Sequence, residues 1–488
     1  MAITITQKPN KLVAANSPMI FIISESVPAT YNAFKFRYIA QVFINSVEKS
    51  RLKIPKNASN VAIVDISHIV RSYVETQESN VGDIGVDTAN GSIHELGVSI
   101  PANLYSQNTN QLVTVVVKAG FEKADTALLA PTETLDQANT TVYAIPATTP
   151  YTKTDTNVGG LDIFGTNNPL KFFENNTTNE ELYSVFTNAP NVQYVRGGST
   201  SSENKDLLTI CFKQGDSGAG SSLLDFGEDI TDFRVRYYNA SNSVLNSVIV
   251  TCNATNGGST PALANTTEES ILYFGCGTRN FEQQTIDADL KPSDAGNNGW
   301  AYYVVTGRNS ATSECTKNYY FLRYGAVQDG LPAIGSTFTQ FNIRNSSCTK
   351  YPNIRLAWRN RLGAWDYMNF RGKSINTLDI QGQEMESVPG TWDSTTYNYE
   401  NYDRGKKSLF KTADKKIRVS SDFLTEEESI WLEELFTSIN VQLIDDNDIV
   451  YPVVIREKSY TVKTTVNDKQ LIQYQLTLNY SNTIRTNS

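Results

Sequence analysis

The sequence predicts a mainly β protein: β-sandwiches of the immunoglobulin or fibronectin kind, then a C-terminal β domain carrying one α-helix. Apolar and polar residues alternate with period two over many short stretches. Tyr and Phe, which favour strands, number 25 and 21. Gly, Asn and Ser mark turns between these stretches at sandwich-like spacing. At 488 residues the chain exceeds one ordinary core, so about two to four domains are expected.

The first domain spans 1–120. Ile3 to Thr6 and Met19 to Ser24 read as short strands. From Phe34 to Ile44 the residues Phe34, Phe36, Tyr38, Ala40, Val42 and Ile44 share one face of a strand on the order of 35 Å long. Asn45-Ser46 turns the chain and Lys49 to Ile54 pairs back. Val61 to Ile66 is a buried strand. Ser67 is expected to cap a short helix over His68 to Thr76, and Leu112 to Lys118 closes the domain.

Residues 121–190 lose this patterning and gain Thr, Asn and Pro, with Asp136 to Asp155 reading as an irregular connector or arm. Strand patterns resume over 191–347. Leu207 to Phe212, Phe233 to Tyr238 and Val244 to Cys252 are candidates, with Asn239 to Asn242 as a turn. Trp300 to Val305 and Tyr319 to Tyr324 form a further hairpin.

The last segment, 348–488, opens on a dense aromatic and arginine stretch from Tyr351 to Gly382. Arg355 to Arg359 and Trp365 to Phe370 alternate on either side of Leu362-Gly363-Ala364, which predicts a central hairpin packed on both faces. Met385 to Lys407 reads as a Tyr-rich loop. Thr425-Glu426-Glu427-Glu428 is a capping box that starts a helix over 425–437, with Ile430, Trp431, Leu432, Leu435 and Phe436 as its apolar stripe. Val441 to Ile444, Ile449 to Arg456, Ser459 to Thr465 and Leu471 to Tyr480 complete the domain as strands.

The chemistry-bearing residues are sparse. A net charge of −9 argues against general nucleic-acid binding, which needs a basic face. His68 and His94 are the whole histidine supply, and neither sits in a catalytic or metal-binding motif. The five cysteines include no CxxC pair and read as small core residues. Gly215-Asp216-Ser217-Gly218 resembles a serine-nucleophile context but has no matched histidine. Asp445-Asp446-Asn447-Asp448 is oxygen-rich yet lacks the glycine and distant glutamate of a calcium loop. No enzyme, metal or cofactor is therefore expected. The start of the chain has neither a basic n-region nor an apolar run, which predicts synthesis in a cytoplasm without a leader, and no stretch is long enough to span a membrane. Candidate interface residues are Arg359 and Arg361, placed to form ion pairs with the acidic residues of 385–403 or a neighbouring subunit. Trp392, Tyr397, Tyr399 and Tyr402 join them, in a composition that suits a protein or a sugar surface.

Three segments carry a resemblance: FKFRYIAQVFIN with RLKIPKNASNVAIVDISHIVRSYV, then IRLAWRNRLGAWDYMNF, and finally VSSDFLTEEESIWLEELFTSINVQLIDD with the strands after it. All three are similar to virion structural proteins of tailed bacteriophages, especially those infecting Bacteroidota. The resemblance leaves about 120–230 uncovered and brings no catalytic residue. It implies a ring-forming or adaptor protein of the tail, collar or baseplate, located in the virion and partnered by copies of itself and other virion proteins. The alternative is a receptor-binding tail protein that holds host-surface glycan through the Trp392 cluster. A polysaccharide-cleaving tail enzyme is a more distant third, since paired carboxylates need only proximity in space.

Overall fold

The computed structural model describes residues 3–9, 12–74, 91–98, 103–108, 111–148, 187, 189, 192–198, 200–214, 230–251, 270–308, 314, 318–323, 339–344, 350–386, 390–398, 405–463 and 472–487. The protein is mainly β, with several sheets and few short helices. It divides into two compact units, Met1–Ser346 with Asn360–Asp366, and Ser347–Arg359 with Tyr367–Ser488.

In the first unit, a sheet of Ile3–Gln7, Ile20–Glu25 and Val61–Asp65 faces a five-stranded sheet ordered Leu12–Ala14, Thr132–Ile145, Val113–Ala124, Phe34–Ile44, Val47–Ile54. Alternation makes this sandwich: Phe21, Ile23, Tyr38, Ala40, Val42, Val115, Val117 and Val142 share one core while the residues between them lie on the other faces of the sheets. The buried Tyr38 hydroxyl donates to the Asn60 carbonyl and accepts from the Glu25 amide (3.1 Å), and burial pushes its pKa up. Asn45 and Ser46 both take positive φ (47° and 66°), the geometry of a two-residue hairpin turn. Phe34 leaves the predicted core face. Lys35 has φ 52° and the ladder slips between Phe34 and Arg37, so the Phe34 ring is exposed.

Two expectations for this region are corrected. Ser67 caps nothing; it is the first residue of a four-residue helix, Ser67–Val70, and the Asp65 carboxylate accepts its amide at 2.9 Å. Asp136 to Ile145 is strand, part of Thr132–Ile145, and no irregular connector. Its Thr- and Asn-rich sequence hides this because only the end near Val142 and Ala144 meets the core, while the Val-rich neighbour Val113–Ala124 supplies the ladder. Residues 149–186 lie outside the described residues.

The same unit holds a six-stranded sheet ordered Val192–Arg196, Thr339–Arg344, Tyr319–Arg323, Tyr302–Arg308, Asp232–Tyr238, Val244–Thr251. Thr339–Arg344 runs parallel to both of its neighbours. A smaller sheet of Thr209–Gln214, Ser270–Gly275 and Tyr105–Asn108 packs on it through aromatic rings. Phe233 stacks on Phe274 at 4.1 Å and lies 4.9 Å from Phe212. Burial pushes the Tyr237, Tyr303 and Tyr319 phenols up, so these rings stay neutral core residues. Tyr105–Asn108, from the N-terminal part of the sequence, is hydrogen-bonded to Ile271–Phe274.

The second unit is built on one seven-stranded sheet ordered Trp365–Phe370, Ile354–Arg359, Val441–Ile444, Val450–Ile455, Gln475–Asn487, Lys406–Ser420, Ile375–Glu386. The capping box holds: Thr425 Oγ1 accepts from the Glu428 amide at 3.1 Å, and Glu428 Oε2 accepts from the Thr425 amide at 2.8 Å. The helix runs as Glu426–Trp431 and Glu433–Thr437. Trp431, Leu432 and Leu435 face inward, Trp431 lying 4.8 Å from Trp358, but Ile430 falls off that stripe and is exposed. The expected strand over Ser459 to Thr465 is absent from its described part, 459–463. There the Lys463 amide donates to the Tyr474 hydroxyl (2.9 Å) and the Tyr460 hydroxyl donates to the Ser429 carbonyl, so side chains take the place of a strand partner.

The turn that joins Ile354–Arg359 to Trp365–Phe370 is set by Asn360 and Gly363. Asn360 Oδ1 accepts from the Leu362 and Ala364 amides, each at 3.0 Å. Gly363 takes φ +83°, and a Cβ there would stand 2.8 Å from the Pro146 carbonyl oxygen. Trp365 follows, 4% exposed and edge-on to His94 at 4.7 Å. Trp365→Ala is expected to cost about 3–5 kcal/mol, as truncation of a buried tryptophan does, measured by denaturant unfolding. An unchanged midpoint would show that the ring carries no packing.

Candidate interaction surface

The predicted site residues separate into a buried set and an exposed set. Ile354–Arg359 and Trp365–Phe370 are buried on both faces, as the two-sided packing expectation requires. Arg355 lies within this packing, donating from Nη1 to Asn369 Oδ1 at 2.9 Å with its guanidinium 5.0 Å over the Tyr367 ring. Asp366 is fully buried and accepts from Asn360 Nδ2 (3.1 Å) and Thr187 Oγ1 (2.6 Å). Arg359 is 5% exposed, so as an interface residue it is corrected: a buried guanidinium has no surface to give a partner. Arg361 is half-buried, and its carbonyl accepts from the Thr148 amide at 2.6 Å.

The exposed set stands on a feature the sequence conceals. Ile375–Glu386 pairs with Lys406–Ser420 along its whole length, making a hairpin arm whose outer strand spans roughly 40 Å. Its two margins, Met385-Glu386 and Lys406-Lys407, were expected in the Tyr-rich loop and are instead strand. Gly382 makes the pairing possible at its middle, since a Cβ there would lie 2.8 Å from the Phe410 carbonyl oxygen. Ile375–Glu386 is the last strand of the sheet, with no second strand beside it among the described residues.

Both faces of the outer strand, Ile375–Glu386, meet solvent. Ile375, Leu378, Ile380 and Met385 are exposed on the edge strand, Ile380 at 61%. The inner strand carries Lys406, Lys407, Lys411, Lys415, Lys416 and Arg418 against one acid, Asp414. Lys416 pairs with Asp379 across the hairpin. An edge strand bearing four exposed apolar side chains is an open template for another chain, and the lysines beside it restrain indiscriminate pairing.

Toward the end of the arm, Thr391–Trp392 pairs with Tyr397–Asn398. Trp392 is 67% and Tyr397 51% exposed. Gly390, at φ +114°, lets the Tyr397 ring lie against the backbone; a Cβ would stand 2.6 Å from Tyr397 Cζ. Asp393 Oδ1 accepts from the Thr395 (2.9 Å) and Thr396 (2.6 Å) amides and so shapes the turn. Tyr399 and Tyr402 lie outside the described residues.

The remaining candidates hold structural positions. His94 is fully buried against Trp365. Cys211 and Cys276 are buried thiols; Cys252, Cys315 and Cys348 are outside the described residues, as is Gly215 to Gly218. Asp445 Oδ1 accepts from the Asn447 and Ile449 amides at 2.8 and 2.9 Å, so the acidic turn is organised by its own backbone. Among the described residues no group of three or more His, Cys, Asp or Glu is placed to hold a metal, and no helix is long and apolar enough to cross a membrane.

No protein-family model and no curated protein matches the chain. Among solved structures, a point mutant of Salmonella alpha-2-macroglobulin aligns at 9% identity with a TM-score of 0.17, covering 100% of this chain and 31% of that one. A similarity of that size carries no functional argument.

The backbone amides of Thr396 and Thr395 hold the Asp393 carboxyl below its ordinary value of 3.8. A depressed pKa stabilises the turn at pH above that ordinary value, and the contribution is lost as pH falls through the lowered folded value. The Trp392 indole N–H resonance is accordingly expected to hold its shift from neutral pH to about 4 and move below it. In Asp393→Ala the acid-range movement should vanish; if it persists there, Asp393 does not control the tip.

Proposed function

We propose that this chain is a structural component of a bacteriophage virion, a ring-forming or adaptor protein of the tail, collar or baseplate that assembles through protein–protein contacts. Its partners in this reading are copies of itself and other virion proteins, its location is the virion, and it performs no catalysis. The observation that carries the reading is the arm of Ile375–Glu386 and Lys406–Ser420, an open strand edge with exposed Ile375, Leu378, Ile380 and Met385. The three segments similar to tailed-phage structural proteins supply the setting. Edge pairing with another chain gives main-chain hydrogen bonds for affinity and alternate side chains for specificity. A ring built from such contacts needs interfaces on the order of thousands of Å² per subunit.

Mass photometry and negative-stain microscopy of the purified protein, with immunolabelling of the phage particles, test this. The wild-type chain is expected in closed oligomers and on particles. Leu378→Lys with Ile380→Lys should leave a folded protein that no longer assembles, because two charges replace exposed apolar contacts. A stable wild-type monomer absent from particles would overturn the proposal.

A second reading, a receptor-binding protein for host-surface glycan, is favoured by the exposure of Trp392 and Tyr397 at the tip. It predicts that Trp392→Ala with Tyr397→Ala lowers adsorption to host cells about tenfold or more while assembly is retained. Unchanged adsorption removes it.

A further inference from the structure

A cleft in the sheet of the second unit involves none of the interface residues named above. Asp414 partners Thr483 whereas Lys416 partners Asn479, so the strand Gln475–Asn487 spends extra residues opposite one stretch of its neighbour. Tyr480, Ser481 and Asn482 are thereby displaced from that ladder, the re-aiming of side chains that a bulge produces. Together with Lys415, Asp445, Tyr451 and Pro452 they line an open cleft of about 300 Å³, enough for a small ligand.

The cleft is held in shape from outside. Ser481 Oγ donates to the Pro452 carbonyl at 3.0 Å, pinning the displaced residues to the next strand. Asp445 is fixed by the two amides on Oδ1, at 2.8 and 2.9 Å. The Tyr451 and Tyr480 rings stand at 83° with centroids 5.7 Å apart, and Lys415 Nζ sits 4.8 Å over Tyr480. Burial, then Tyr451 and the Asp445 charge, push the Tyr480 phenol up, as expected for groups that share one small space.

The inner surface is supplied with unused polar atoms. Among the described residues, no hydrogen bond within the protein engages the Tyr451 or Tyr480 hydroxyl, the Asn482 amide, Asp445 Oδ2 or the Lys415 ammonium. We propose that this cleft binds a neutral pyranose sugar. A pyranose has an apolar C–H face and a rim of hydroxyls that each donate and accept. A tyrosine ring face suits the first. Asp445 as acceptor, Lys415 as donor and Asn482 as both suit the second. One ammonium and one carboxylate cancel, so the cleft has no net charge that would select an anionic sugar. The site is distinct from the Trp392 tip, and its existence does not depend on the assembly reading.

Saturation-transfer NMR on the full chain tests it, with glucose, galactose, mannose, N-acetylglucosamine and rhamnose as probes and glucuronate as the charged control. At least one neutral sugar is expected to bind saturably with Kd of about 1–10 mM. Asn482→Ala and Asp445→Asn should each weaken it about tenfold with melting unchanged, since Asn482 is exposed and an asparagine at 445 keeps the Oδ1 acceptor of the turn. No saturable response to any neutral sugar up to about 100 mM would overturn the proposal. So would binding that survives both substitutions, or a preference for glucuronate.

Discussion

The constraint on which the structure turns is the burial of one hairpin, Ile354–Arg359 and Trp365–Phe370, on both of its faces. A strand buried on one face needs only alternation. One buried on two must satisfy every polar side chain it carries, or lose several kcal/mol for each that is stranded. The hairpin meets much of that demand locally: Arg355 bonds Asn369 and lies over Tyr367, and Asn360 serves the turn amides and Asp366 together, while the buried Trp358 indole N–H finds no acceptor among the described residues. The chain changes unit on either side of this turn, since Asn360–Asp366, which includes the first two residues of Trp365–Phe370, belongs to the first unit, and Ile354–Arg359 and the rest of Trp365–Phe370 to the second. Residues whose sequence density suggests a binding site are therefore spent on folding.

The arm obeys the opposite rule. Its side chains are too exposed to contribute much to the stability of the isolated chain, and exposed surface ion pairs such as Lys406–Glu384 at 3.9 Å add little. Order here comes from the ladder to Lys406–Ser420, itself anchored by Ile417 and Val419 in the core and by Gln475–Asn487. A long open edge with exposed Ile375, Leu378, Ile380 and Met385 is costly in a protein that stays single, because it invites aggregation. Its presence is accounted for if another chain covers it.

How much of this was legible follows from where each signal resides. Strands such as Phe34–Ile44 and Asp232–Tyr238 carry their own alternation, Tyr302–Arg308 a continuous aromatic and β-branched run, and the Thr425–Glu428 box its own cap, so all were readable. Thr132–Ile145 and Ile375–Glu386 are strands by virtue of a neighbour; their solvent-facing sequences hold polar residues at positions where a pattern would need apolar ones. The parallel placement of Thr339–Arg344 is set by tertiary pairing alone. Trp392 and Tyr397 were legible as exposed aromatics. The Tyr451–Tyr480 cleft was not, because it depends on a register slip between strands about sixty residues apart, which no local spacing encodes.

Hydrogen exchange on the edge strand tests the central claim most directly. In the isolated chain at low concentration, the outward amides of Ile375–Glu386 should exchange as freely as open-edge amides do, while those of Ile354–Arg359 stay protected. In assembled particles the account predicts protection spreading along Ile375–Glu386. Exchange there that is equally fast in particles and in the free chain would contradict it.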